Sequence, residues 1–145
     1  NQQDEIAFVQ IPAVMNEYWK ILGRHYFTLQ RLGKLDTRHM DIFNAIHSSG
    51  KIFDSETKLL DFVKTTAIEF DSYEKIFRSI EVDSDLQKAN QMARRLKITA
   101  VPTLVVQGKY IVKTGRGIGL KRAKQVAEFL IDKELKTKRS AKAQG

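Results

Sequence analysis

Few side chains in this sequence could carry chemistry, and cysteine is not among them. Without a thiol, these residues hold no disulfide, no thiolate metal site and no thiol nucleophile. The three histidines, His25, His39 and His47, show no metal-ligand spacing. His25 falls on the apolar side of a helical pattern and is expected as a satisfied, partly buried side chain rather than a ligand. Gly115-Arg116-Gly117-Ile118-Gly119 precedes a helical stretch and could resemble a phosphate-cradling loop. It lacks the strand context of a dinucleotide fingerprint and its third glycine is misplaced, so it reads as a flexible connection. No Ser/His/Asp set can be assembled from local signatures. What remains is Ile98-Thr99-Ala100-Val101-Pro102-Thr103-Leu104-Val105-Val106-Gln107-Gly108-Lys109-Tyr110. Proline cannot donate to a β-ladder, so Pro102 suits the first residue of a strand. The peptide bond before it then sits exposed at a sheet end, and the residues alone leave its isomer open.

The elements that must position this segment follow from apolar periodicity. Ile6-Ala7-Phe8-Val9-Gln10-Ile11, stopped by Pro12, predicts a short, largely buried strand. A helix is expected over about residues 13–32, with Val14, Tyr18, Ile21, Leu22, His25, Leu29 and Leu32 on one face and Gly33 as its C-terminal cap. Tyr18 and Trp19 are expected as packing anchors. Asp36 or Thr37 opens a second helix with Met40, Phe43 and Ile46 inward, ending near Gly50. Ser55 opens a third, carrying Leu59, Phe62 and Val63. Asp71 with Glu74 forms a capping-box pattern for a fourth, whose apolar face is Tyr73, Phe77 and Ile80. Ser84 with Gln87 repeats that spacing for a fifth, striped by Leu86, Ala89, Ala93 and Leu96. Thr103–Val106 and Tyr110–Val112 around a glycine-containing connection predict a hairpin. A last helix runs to about Leu135, with Leu120, Ala123, Ala127, Leu130 and Ile131 inward. Strand, helices, hairpin, helix is the order of an α/β sandwich with an inserted helical subdomain. A lone opening strand needs a ladder partner, which the hairpin could supply and a strand upstream of residue 1 could supply better.

Composition bounds the rest. A chain of 145 residues with 42% hydrophobic and 29% charged side chains fits one domain able to bury a core. No apolar run approaches a membrane span. The first residues, Asn1-Gln2-Gln3-Asp4-Glu5, have neither the basic nor the apolar region of a signal peptide, as fits a mature exported protein or an internal fragment. Lys and Arg number 25 against 17 Asp and Glu, a formal charge of +8. Five of these cations (Lys133, Lys136, Lys138, Arg139 and Lys142) cluster at the C-terminus and read as a solvated, fraying tail. The basic–aromatic interleaving of a nucleic-acid binder is absent.

The helix followed by Val101-Pro102-Thr103, an apolar strand and Gly108-Lys109-Tyr110 resembles the cis-proline segment and final hairpin of the DsbA family of the thioredoxin superfamily. Phe8-Val9-Gln10-Ile11-Pro12-Ala13-Val14-Met15-Asn16 with Trp19 is similar to the strand-to-helix passage after the catalytic helix in one branch. Phe43-Asn44-Ala45-Ile46-His47 and Ile52-Phe53-Asp54 resemble that branch's helical insertion. The resemblance implies a thioredoxin-like fold made of residues 1–12 and 98–135, a helical insertion with flanking helices over 13–97, and a basic flexible tail over 136–145. It also implies a cis bond before Pro102, with Val101, Pro102 and Thr103 facing an extended substrate. By resemblance the parent is a periplasmic, monomeric protein thiol–disulfide oxidoreductase. It needs no cofactor and binds no nucleic acid, it acts on reduced or unfolded exported polypeptides, and a membrane oxidase reoxidises it. The family's Cys-X-X-Cys pair belongs to a strand–helix unit upstream of residues matching Asn1–Val9, and that central strand and catalytic helix are expected to be missing here. Gln10 stands where some relatives carry a basic residue. The rival readings are a cysteine-free thioredoxin-like module that only binds peptides, and a helical adaptor whose basic tail meets an acidic partner.

Overall fold

The computed structural model describes residues 5–115 and 117–144; residues 1–4, Arg116 of the glycine-rich turn and Gly145 lie outside them. Two compact units emerge, one of Ile11–Met92 and one of Asn1–Gln10 with Ala93–Gly145. The first holds α1 (Glu17–Arg31), α2 (Leu35–Ser49), α3 (Glu56–Lys64), α4 (Phe70–Phe77) and most of α5 (Ile80–Arg95). The second holds β1 (Thr103–Val106), β2 (Tyr110–Lys113) and α6 (Leu120–Ala143).

Side-chain caps mark the starts of α1, α3, α4 and α5, whereas α2 and α6 start without one, and α2 begins at Leu35 after Lys34 rather than at the expected Asp36 or Thr37. Asn16 Oδ1 accepts the Trp19 amide at 2.8 Å, so α1 begins at Glu17 and not at Ala13. Ser55 opens α3 as expected, accepting the Lys58 amide at 3.3 Å. The expected Asp71–Glu74 box does not form. Glu69 caps α4 instead, its carboxylate accepting the amides of Asp71 (3.0 Å) and Ser72 (2.8 Å). Those bonds to Ser72 and Asp71 hold the Glu69 carboxyl below its ordinary pKa. α5 likewise starts ahead of the expected Ser84, with Ser79 Oγ accepting the Val82 amide at 3.4 Å.

The helical unit is closed around Leu29, Leu59, Val63, Tyr73 and Phe77, which are fully or almost fully buried. Tyr18 packs on this cluster, and a second one gathers Tyr26, Phe27, Val82, Leu86 and Ala89 between α1 and α5. The helices approach closely at Gly23, where a Cβ would stand 3.1 Å from Leu86 Cδ2 and 3.3 Å from Val14 Cγ2. Arg24 and Arg31 fasten the same pair of helices. Arg24 pairs with Asp83 and donates to the Phe77 carbonyl at 2.7 Å, while Arg31 grips both Asp85 oxygens at 2.6 and 3.0 Å. The inward face of α2 differs from expectation. Ile42 and Ala45 are buried, Ile46 packs against the core, and Met40 and Phe43 are exposed. Ile80, expected on the apolar face of the fourth helix, is instead the first residue of α5 and is exposed.

In the other unit β1 and β2 pair antiparallel, from Thr103↔Lys113 to Val106↔Tyr110. Gln107 and Gly108 both adopt positive φ, and Val106 O accepts the Lys109 amide at 3.0 Å, which suits a tightly twisted hairpin. Val106 and Val112 are buried on the face against which α6 packs, and the small Ala123 and Ala127 admit the helix closely. Glu134 ties α6 to the hairpin, taking hydrogen bonds from Lys109 (2.7 Å) and the Tyr110 hydroxyl (3.1 Å). Leu120, expected inward, is exposed. α6 does not stop near Leu135; it stays helical to Ala143, through residues rich in good helix formers whose cations complement the C-terminal dipole.

The expected α/β sandwich is present only in part. Among the described residues the chain is mostly helical and the sheet has two strands. Residues 6–11, expected as a buried strand, form no regular structure, and Phe8 and Val9 are largely exposed. Among the described residues no strand lies beside this segment, so its alternation has no ladder to join.

The corrected face of α2 is directly testable. Ile42→Ala should cost about 2–4 kcal/mol in urea unfolding. Met40→Ala should stay within about 0.5 kcal/mol of the unchanged protein.

Candidate functional site

The segment singled out by its chemistry lies between α5 and β1. The Val101–Pro102 peptide bond is cis. The loop is held from both sides: the Thr103 hydroxyl donates to the Ala100 carbonyl at 2.6 Å, and the Thr114 hydroxyl donates to the Pro102 carbonyl at 3.2 Å. Thr114 was not among the expected site residues. The hairpin register could have found it, since Thr103 opposite Lys113 brings Thr114 level with Pro102. Val101 is 47% exposed, and among the described residues neither its amide nor its carbonyl is hydrogen-bonded. Pro102 is exposed and Thr103 half-buried. Beyond the loop, the cross-strand partners Val105 and Ile111 form an exposed apolar face on the hairpin, on the side away from Val106 and Val112. β1 pairs with β2 along one edge; among the described residues its other edge carries no strand.

In the glycine-rich segment, two of the described amides are not available to a phosphate. Gly115 and Ile118 exchange backbone hydrogen bonds of 3.1 and 3.0 Å, which occupies those two amides. Among the described residues no group of three or more His, Asp or Glu could hold a metal ion.

His25 is 3% exposed, and its Nδ1 lies 2.7 Å from the Tyr73 hydroxyl, sharing a hydrogen bond whose donor depends on the tautomer. Its Nε2 is buried without a partner. Burial, and secondarily the neighbouring His39, push His25 down to about 4, so it is neutral at pH 7. Burial raises the Tyr73 phenol above its ordinary range. His39 sits edge-on to the rings of Tyr26 and Phe43, and burial lowers its pKa too. His25 is buried within the helical unit, and His39 is half-buried beside it.

Comparison with known proteins defines the class of this chain. The family model described as a DSBA-like thioredoxin domain matches residues 4–131, and the chain belongs to that family. Among its relatives are proteins named thiol:disulfide interchange protein DsbA. The chain is 33% identical to that of Pseudomonas syringae pv. tomato over 138 residues, covering 95% of this chain and 64% of the relative. It is 33% identical to that of Azotobacter vinelandii over 131 residues, covering 90% and 61%. The crystal structure of Pseudomonas aeruginosa DsbA superimposes with a TM-score of 0.85 at 28% identity, covering 92% of this chain and 69% of that one. Oxidoreductase DsbA from Xylella fastidiosa gives 0.78 at 26% identity, covering 92% and 73%. The fold is therefore DsbA-like, and the chain spans about three-fifths of the length of the curated relatives it matches.

The His25 environment sets a pH dependence. As pH falls from 6.5 towards 4, the unfolded chain takes up a proton that the folded chain refuses, so stability above that window is lost through it. The loss should approach roughly 3 kcal/mol below pH 4. Urea unfolding at pH 7, 5 and 4 should show a shallower pH slope for His25→Asn than for the unchanged protein.

Proposed function

We propose that these residues are the scaffold and substrate-facing part of a periplasmic protein thiol–disulfide oxidoreductase that introduces disulfide bonds into exported proteins. Its redox cysteines lie on residues outside this sequence. The observation that carries the reading is the loop at Val101, Pro102 and Thr103: an exposed, anchored turn whose Val101 backbone is free to pair with an extended chain. Family membership supplies the chemistry.

In that chemistry a substrate thiolate attacks one sulfur of the enzyme disulfide. A mixed disulfide forms and the other enzyme sulfur leaves as a thiolate. The second substrate thiolate then attacks the substrate sulfur of the mixed disulfide and releases the enzyme as a dithiol. The substrate is oxidised, the enzyme is reduced, and a membrane oxidase partner restores it. The residues in hand contribute orientation: Val101 pairs with the substrate backbone in the manner of an added strand, while Thr103 and Thr114 hold the loop. The open edge of β1 and its apolar face receive the strand and helix that carry the cysteines. An unpaired apolar edge is one that folded domains normally cover. With no cysteine, these residues alone are not redox-active.

The absence of cysteine also favours a second reading, a redox-inactive peptide-binding module with the same groove. Oxidation of a reduced two-cysteine peptide separates the two. The 145-residue chain should be inert, and the product of the full reading frame should oxidise the peptide and lose that activity on thiol alkylation. A full-length protein that binds the peptide without oxidising it would leave the module reading. Backbone pairing at Val101 predicts that N-methylating single amides of the peptide weakens its binding several-fold at alternate positions and little at the others.

A further inference from the structure

Beyond the hairpin-packing face, α6 has a second side. Ala123 and Ala127 are buried against the sheet, whereas Arg122, Phe129, Lys133 and Lys136 recur at steps of seven, four and three residues along an exposed stripe. Phe129 stands 68% exposed in the middle of it. The carboxylates of the helix are already engaged: Glu134 with Lys109 at 2.7 Å, Glu128 with Lys124 at 3.9 Å, and Asp132 also has a partner. Past Leu135 every described residue is exposed, and of the cations there only Arg139 has an ion pair, to Glu5 at 3.0 Å. Lys136, Lys138 and Lys142 have none among the described residues. The two last turns thus bury nothing and present charge, while an aromatic ring projects one stretch back on the same helix.

We propose that this outer face of α6, with Arg122, Lys133 and Lys136 around Phe129, forms a peripheral contact for an anionic lipid bilayer surface. Arg122, Lys133 and Lys136 meet the lipid phosphates, and the Phe129 ring enters the headgroup layer. Paired basic and aromatic side chains on one helix suit an interface that is charged outside and apolar beneath. A polynucleotide fits less well. Phe129 is the one aromatic side chain of α6, so successive bases have no row of rings on which to stack. Arg122, Lys133 and Lys136 share the side of the helix that carries Phe129, so a plane of phosphates can meet them together, whereas Lys138 and Lys142 point to the other side. The proposal goes beyond the redox reading and does not rest on it. Among the described residues no helix is long and apolar enough to cross a membrane, so the helix is proposed to lie on the surface rather than span it.

Flotation with vesicles tests it, using the 145-residue protein at low salt. It should bind vesicles of phosphatidylcholine containing phosphatidylglycerol, fail to bind phosphatidylcholine alone, and dissociate as salt is raised. The triple substitution Arg122→Gln, Lys133→Gln and Lys136→Gln should weaken binding on the order of a hundredfold. Phe129→Ala should weaken it several-fold without changing the salt dependence. All four positions are exposed, and unchanged circular dichroism would establish that the variants fold. Equal binding to both vesicle types, unchanged binding by the triple variant, or tighter binding to a single-stranded oligonucleotide at the same salt would each overturn the proposal.

Discussion

Backbone amides and carbonyls removed from water must find hydrogen-bond partners, and that requirement divides this chain. In the helical unit each segment satisfies its own backbone, and side chains at Asn16, Ser55, Glu69 and Ser79 take up amides left over at the helix starts. The sheet cannot work this way, because a strand satisfies one edge per neighbour. β2 serves one edge of β1, the other edge is bare among the described residues, and residues 6–11 join no ladder. The apolar side chains follow the backbone. Val106 and Val112 are covered by α6, while Val105, Ile111, Phe8 and Val9 stay in solvent.

The same imbalance explains why the loop at Pro102 is accessible yet fixed. It opens β1 at the uncovered end of the sheet, and two threonine hydroxyls, one from each strand side, close on the carbonyls of Ala100 and Pro102. The free backbone of Val101 sits between these anchors.

Charge is distributed along the same division of labour. In the helical unit the arginines are structural: Arg24 and Arg31 span α1 and α5, with carboxylates and carbonyls waiting for them. On α6 the cations outnumber the carboxylates, and most of the carboxylates are already taken. The positive balance of the protein is therefore concentrated on one helix instead of being neutralised across a core.

The sequence by itself determined what is local. Ser55 was legible as a cap because its short oxygen reaches an amide three residues on, and the hairpin was legible because β-rich runs flank a glycine-bearing turn. The motif around Pro102 was legible through its resemblance to the DsbA family. Glu69 was not, since glutamate seldom caps, and neither was Ser79, because Ser84 with Gln87 carries the capping-box spacing and Ser79 with Val82 does not. Met40 with Phe43, and Ile42 with Ala45, are both plausible faces of α2, and only packing against the core selects the second. The tertiary structure alone decided the fate of residues 6–11. Alternation specifies which side chains share a face of a strand, but whether a strand exists depends on a neighbour far away in sequence to take its hydrogen bonds.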